Sequence, residues 1–266
     1  MDLTEQQIER YARHIVLREV GGVGQTRLLQ SKVLVVGAGG LGSPLLMYLA
    51  AAGVGTIGVV DDDLVSLSNL QRQIAHDVDD IDRAKVDSAR DRARDLNPDA
   101  QVVAHRTRLG ADNVMELIAP YDLVADGSDN FATRFLLNDA CYLAGKPLVS
   151  AAVLRFDGQL STFKAHLGAP HPCYRCIFPA PPPPGVVPSC AEGGVLGALA
   201  GVMGTLQATE VLKELLAVGD SLSGRLLIYD GLATSFRSVA VKPDPACALC
   251  GDQPSIHDLS GHASGE

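Results

Sequence analysis

Positive charge is scarce in this chain: 22 lysines and arginines face 31 aspartates and glutamates, for a net charge of −9. General nucleic-acid binding wants a basic stripe, so that class is set aside. A secretory leader is lacking too, since MDLTEQQIERYARHI is polar and amphipathic. No apolar run reads as a membrane span. The longest, around Val195 to Leu206, continues into Gln207, Glu210 and Lys213 and reads as a buried helix. No internal repeat stands out. What is present, 47% hydrophobic and 20% charged residues over 266 positions, describes a soluble globular chain near the size where one core stops growing. The expected setting is the cytoplasm.

Lys32 to Lys85 is the stretch around which the rest is organised. KVLVVGAGGLG is an apolar strand running into glycines at 37, 39, 40 and 42, followed by the helix-like LGSPLLMYLAAAG. A second apolar run, TIGVV, delivers Asp61 at its end. Strand, glycine turn, helix, strand and acid in that order make a nucleotide-binding βαβ unit. Glycines allow a tight turn and close approach of backbone N–H groups to phosphate, where the helix N-terminus adds partial positive charge. The acid is placed for ribose hydroxyls. The motif alone fits a nicotinamide or flavin enzyme as well as an ATP user. Asn69, Arg72, Gln73 and Lys85 tilt it toward a triphosphate, whose charges must be neutralised while the α-phosphorus is attacked.

Residues 4 to 19 read as a helix with Thr4 as N-cap, Gln7 completing a capping box, and an apolar stripe of Ile8, Tyr11, Ala12 and Ile15. Arg10 and Arg13 point off that stripe, to solvent or to a neighbouring subunit. Lys85 falls in the first turn of the helix RAKVDSARDRARDLN, where a cation opposes the helix dipole and so needs another reason. Asp126 and Asp129 end the strand YDLVADGSDN, at the rim where open α/β sheets bind ligands. For Asp129, capping the next helix and holding Mg²⁺ both stand. After Pro147 the αβ rhythm gives way to strands. Asp157-Gly158 reads as a hairpin turn, and RLLIYDG and SFRSVAVK extend the sheet in antiparallel fashion. The proline run at 181 to 184 predicts an extended crossover. Val195 to Ala217 predicts a central helix with Gly197, Gly201 and Gly204 permitting close packing. Residues 251 to 266 predict a disordered tail.

Cys173-Tyr-Arg-Cys176 and Cys247-Ala-Leu-Cys250 are two distant CxxC pairs. Without an export signal disulfides are disfavoured, and two such knuckles complete a tetrahedral, closed, structural Zn²⁺ site. Such a metal is worth roughly 10–16 kcal/mol in small zinc modules. Cys141 reads as core. Cys190, in PSCAEGG ahead of a helix, is either a thiolate activated by the helix N-terminus or a small residue in a turn.

Taken together, RYARHI, GAGGLG, DDDLVSLSNLQRQ, DGSDN, PCYRC, CAEGG and CALC resemble the MoeB/ThiF/HesA family, bacterial relatives of ubiquitin-activating enzymes. The resemblance spans nearly the whole chain. It implies an α/β fold: a Rossmann-like nucleotide-binding sheet flanked by helices and extended by antiparallel strands. One adenylation domain would cover 1–250, with N-terminal helices at 1–31, the nucleotide-binding part at 32–150 and the zinc-bearing extension at 151–250. The implied activity is adenylation of the C-terminal glycine of a ubiquitin-like sulfur carrier ending in Gly-Gly. The carrier is of the MoaD type (molybdopterin synthesis) or the ThiS type (thiamine synthesis). By position, Gly37, Gly39, Gly40 and Gly42 line the nucleotide site and Asp61 holds the ribose. Asn69, Arg72 and Lys85 hold the phosphates, Ser68, Leu70 and Gln71 belong to the same nucleotide site, and Asp129 and Asn130 lie beside the phosphates with Mg²⁺ at Asp129. Arg13 matches an arginine that reaches the neighbouring subunit's ATP site, which implies a homodimer. Cys190 matches a cysteine that bonds covalently to the carrier in some members. The chain ends soon after Cys250 without a rhodanese-like domain, so the implied sulfur donor is separate, a cysteine desulfurase or a rhodanese. Two other classes compete. A dinucleotide-dependent oxidoreductase has GAGGLG and Asp61 in its favour, with Arg72, Lys85 and the cysteine pairs against it. A non-catalytic module would not keep the full set of phosphate ligands.

Overall fold

The computed structural model describes residues 3–183, 185–186 and 193–262. An eight-stranded sheet forms its frame, in the order β3-β2-β1-β4-β5-β6-β7-β8. The parallel half comprises β1 (Lys32–Val36), β2 (Thr56–Val60), β3 (Gln101–His105), β4 (Leu123–Asp126) and β5 (Leu148–Leu154). Beyond β5 follow β6 (Asp157–Phe163), β7 (Arg225–Asp230) and β8 (Ser235–Ala240), each antiparallel to the strand before it. The chain reverses between β1 and β4, so the carboxyl ends of these neighbours open a crevice.

Both faces of the parallel half are covered, which is why its strands read as unbroken apolar runs. Val33 and Val35 face one core, built with α4 (Gly42–Ala52), α5 (Lys85–Leu96) and α8 (Gly197–Leu216). Leu34 and Val36 face the other, built with α6 (Val114–Ile118) and α7 (Phe131–Leu143). The long apolar helix is central, as its composition requires. A Cβ on Gly204 would stand 2.5 Å from the Leu41 carbonyl oxygen, so α8 and the start of α4 meet at a distance only glycine permits. Gly201 has no such neighbour and faces open space.

Three expectations are corrected. The N-terminal helix is broken into α1 (Glu5–Arg10) and α2 (Ala12–Ile15), followed by α3 (Gly21–Gln30). Tyr11 breaks it. Its ring is buried against Gly53, and its hydroxyl accepts from Asn97 Nδ2 at 2.9 Å. Ile8 of the expected stripe stays half exposed, while the Thr4–Gln7 capping box forms as read.

The β5–β6 hairpin exists, but Asp157-Gly158 is not its turn. Leu154 already pairs with Asp157, and Arg155-Phe156 make the reversal, with Arg155 at φ 54°. Gly158 is glycine because a Cβ there would lie 2.5 Å from Met203 Sδ. Finally, the stretch expected to be disordered is folded back through His262. Ile256 donates its backbone N–H to Ala248 O at 2.9 Å, and Leu259 is buried in the α6/α7 core.

Candidate active site

A cleft of about 950 Å³ opens at the carboxyl ends of β1, β2, β4 and β5 and continues onto β6, β7 and β8. Gly37, Gly39, Gly40, Asp61, Arg72, Lys85, Asp129 and Asn130 all line it. Gly37 turns the chain at φ 93°, donating its N–H to Val60 O at 2.8 Å. Gly42 acts at one remove: a Cβ there would be 1.8 Å from the Gly37 carbonyl oxygen, so it permits the turn without lining the cleft.

Asp61 ties this loop to the end of β2. One carboxylate oxygen accepts from Ala38 N at 2.8 Å and the other from Asp63 N at 2.9 Å. Each oxygen keeps a further acceptor position for a ribose hydroxyl. Below the loop, buried His76 places Nε2 3.0 Å from Ala38 O and Nδ1 2.7 Å from Ser88 Oγ. Burial pushes the His76 imidazole below its usual pKa, so the neutral ring is favoured.

The cations come from two elements. Lys85 opens α5, is 5% exposed, and sets Nζ 2.6 Å from Asp63 Oδ2. Arg72 follows a short 3₁₀ turn, Leu67–Asn69, with NH1 3.0 Å from Ser68 O. Asn69 is used locally, its Oδ1 accepting from Ser66 N at 3.3 Å. Ser68, Asn69, Leu70 and Gln71 thus shape the loop that presents Arg72 and do not themselves line the cleft. Gln73 does line it: its side chain is 4% exposed, and Oε1 has no partner among the described residues.

On the other wall Asn130, not Asp129, caps α7 through Thr133 N. Asp126 is fully buried and engaged by Ser128 N, Ser128 Oγ and Ser150 Oγ at 2.9, 2.6 and 2.7 Å, so it holds the loop. Asp61, Asp62 and Asp63 bring carboxylate oxygens within 4.8 Å of one another. Two of these three are already engaged, by backbone amides and by Lys85. Asp62, Asp129 and Asp157 line the cleft without a side-chain partner among the described residues, and of these Asp129 stands past the end of β4, across from the glycine loop. Arg13 lies exposed on α2, away from the cleft lining. Cys190 is outside the described residues.

Among the cleft residues that the sequence reading missed, Arg134 is the buried cation. It is 7% exposed and donates NH2 to Ser128 O at 2.5 Å. The signal that marked Lys85 was available here as well, a cation in the first turn of a helix, against the dipole.

The four paired cysteines converge as expected. Cys173 Sγ lies 3.8 Å from Cys176 Sγ and 3.5 Å from Cys247 Sγ, and Cys176 Sγ lies 3.5 Å from Cys250 Sγ. All four sulfurs fall within 4.8 Å of one another. A tetrahedron with Zn–S near 2.3 Å has edges of roughly 3.8 Å, so the donor set fits zinc. Asp244 donates its backbone N–H to Cys176 Sγ at 3.4 Å, as an outer shell does. With four sulfur ligands no position is left for a reacting group. Among the described residues no helix is long and apolar enough to cross a membrane.

Comparison with known proteins agrees with this layout. The chain is 51% identical over 261 residues to a sulfur carrier protein adenylyltransferase of Thermus thermophilus, covering 97% of this chain and 96% of that one. It is also 51% identical over 261 residues to a SAMP-activating enzyme E1 of Haloferax volcanii, covering 97% and 95%. Among solved structures, E. coli MccB with AMPCPP and MccA superposes with a TM-score of 0.79 at 20% identity, over 94% of this chain and 75% of that one, a likeness of fold. A family model described as the ThiF family matches residues 11–249. The chain belongs to the ThiF family.

Proposed function

We propose that this protein uses ATP to adenylate the C-terminal glycine of a ubiquitin-like sulfur carrier. The observation that carries the reading is the cleft itself. It joins a glycine loop, a ribose-height carboxylate, two cations and an unpaired carboxylate along one rim. The 51% identity to a sulfur carrier protein adenylyltransferase supports the choice of substrate.

The turn at Gly37 and the N-terminus of α4 supply N–H groups and partial positive charge for the phosphates. Asp61 accepts from the ribose. Arg72 and Lys85 neutralise phosphate charge, Lys85 shifting from Asp63, and Gln73 offers its amide beside Gly39. Asp129 is the residue to hold Mg²⁺, which supplies charge neutralisation at the phosphates. The carrier's carboxylate oxygen attacks the α-phosphorus as the bond to the pyrophosphate oxygen breaks. Pyrophosphate leaves with that electron pair, and an acyl-adenylate remains. The outer sulfur of a persulfide on a separate donor, a cysteine desulfurase or a rhodanese, then displaces AMP, and a thiol reductant cleaves the acyl disulfide to the thiocarboxylate.

Arg13, exposed on α2, serves the partner's cleft in a homodimer. Zn²⁺ at Cys173, Cys176, Cys247 and Cys250 is structural. We place the chain in the cytoplasm with a MoaD-type carrier as first choice and a ThiS-type carrier as the alternative. ATP–pyrophosphate exchange with Mg²⁺ and each carrier in turn tests the reading. Exchange that requires one carrier's terminal glycines supports it and names the pathway. Absence of exchange with every carrier, in zinc-loaded protein that binds ATP, overturns it.

A further inference from the structure

We propose that Arg134 is the receptor for the carrier's terminal carboxylate, a duty separate from that of the phosphate-binding Arg72 and Lys85. The inference rests on the adenylation reading and deepens it. A guanidinium carries five N–H donors, yet Arg134 has one acceptor among the described residues, the Ser128 carbonyl oxygen. Among the described residues no carboxylate forms an ion pair with it, although the residue is more than nine-tenths buried. The nearby buried acid, Asp126, is taken up by Ser128 and Ser150. A buried cation without a counter-ion is costly, and it persists where a ligand supplies the missing charge.

Position identifies the ligand. Arg134 lines the main cleft and also a small adjoining cavity formed with Ser150, Gln159, Tyr174 and Phe178, on the β5–β6 side. The ribose acid stands at the end of β2 and the glycine loop at the end of β1, so the phosphates occupy the opposite limb. The limb running over β6, β7 and β8 is left for an extended chain, and Arg134 stands where the two limbs meet. An incoming carboxylate must approach a polyphosphate of like charge. A forked donor beside the α-phosphorus offsets that repulsion and aims one oxygen for attack. The oxygen bonded to phosphorus becomes the bridging anhydride oxygen of the acyl-adenylate, and pyrophosphate takes the electron pair of the broken bond.

The test uses the carrier that supports ATP–pyrophosphate exchange, prepared with its native Gly-Gly carboxylate and with a Gly-Gly carboxamide. Binding of each to zinc-loaded protein is read by fluorescence anisotropy with α,β-methylene-ATP present. Wild-type protein is expected to prefer the carboxylate by about 10- to 100-fold, the size of a charge-assisted hydrogen bond. Arg134→Gln should lose most of that preference with ATP affinity unchanged. Arg134→Lys, which keeps the charge without the fork, should keep part of it and raise the carrier KM more than the ATP KM. An equal carboxylate preference in wild type and Arg134→Gln overturns the proposal, as does a wild type with none. Exchange in the wild type shows in the same experiment that the adenylation reading survives such a failure. Should Arg134→Gln not fold, the wild-type preference and the Arg134→Lys kinetics decide.

Discussion

Asn130 Oδ1 accepts the backbone N–H of Thr133 at 2.8 Å and caps α7, which releases its neighbour Asp129 from any capping duty. Asp129 is exposed in the cleft wall and has no hydrogen bond or ion pair among the described residues. The two adjacent residues therefore separate in their consequences. Asp129→Asn should abolish pyrophosphate exchange and leave the thermal midpoint within about 1 °C, since no native contact is lost. Asn130→Ala should cost about 1 kcal/mol of stability, the usual loss of an N-cap. Thermal melts and exchange rates on both variants check this. A fully active Asp129→Asn would remove that residue from the proposed chemistry.

Lys85 and Asp63 form an asymmetric pair, the lysine buried and the acid 67% exposed at its side chain. Removing the acid leaves a buried ammonium facing the cleft, where phosphate can replace the lost partner. Removing the lysine leaves only an exposed carboxylate, which water solvates. Asp63→Asn should therefore keep exchange within a few-fold, with little change in ATP affinity. Lys85→Met should lower the exchange rate by ~100-fold or more, the loss of about 3 kcal/mol expected when one donor to developing charge is deleted. Steady-state exchange at varied ATP distinguishes the two. A Lys85→Met rate near wild type would assign the lysine to holding α5 alone.

The legible parts of the chain were those where one local rule governs. KVLVV and TIGVV are parallel strands covered on both faces, so their apolar runs carry the assignment, and the glycines at 37 and 42 are fixed by backbone approach. The cysteine pairs were legible because metal geometry links positions that sequence distance separates. Tertiary packing overrode local rules elsewhere. Asp157-Gly158 carries a turn signal, yet the glycine there makes room for Met203 in α8, and a non-glycine residue, Arg155, takes the positive φ. The helix over residues 4 to 19 breaks where the buried Tyr11 ring reaches Gly53 and Asn97, a contact no local pattern announces. Arg134 escaped because a cation in a helix ordinarily faces solvent; its first-turn position against the dipole was the one hint, and the assembled cleft shows its burial.

The segment after Cys250 offers a prediction of stability. His262 places Nε2 2.8 Å from Asp139 Oδ2, a buried carboxylate also gripped by Arg175 at 2.8 and 2.7 Å. Arg175 belongs to the first CxxC knuckle, so the metal site, α7 and the C-terminal segment converge on one acid. Truncation after Gly251 exposes the pocket of Leu259 and should destabilise the protein by ~2 kcal/mol, the value of one buried leucine. Asp139 keeps its arginine, and global folding should survive. Removing zinc with a strong chelator acts further, since it frees both knuckles. Proteolysis should then cut between 242 and 262 while the nucleotide-binding half resists. Urea midpoints and limited digestion measure both effects, and an unchanged midpoint on truncation would show that the segment docks without stabilising.

The final prediction concerns acid. His76, His105, His166 and His171 all have their pKa pushed below the usual histidine value, in each case first by burial. An unfolded histidine titrates near about 6.5. Between that value and the lower folded ones, the unfolded chain binds more protons than the folded chain, so stability rises with pH across this window. The contribution is complete above about pH 6.5 and is lost as the pH falls through the folded values. Asp80, held below the usual carboxylate range by the Ser88 hydroxyl and then by the Asp77 amide and Arg83, and Asp91, held down by Arg83 and Arg90, act in the same direction only in more acidic solution, below about pH 4. The two windows are therefore separable. The urea midpoint should fall between pH 7.5 and 5.5, before those carboxylates titrate. His76→Gln should flatten part of that fall, because its ring lies under the Ala38 carbonyl and is the most enclosed of the four. A midpoint that stays level across this range would mean that the four rings accept protons in the folded protein as readily as in the unfolded chain.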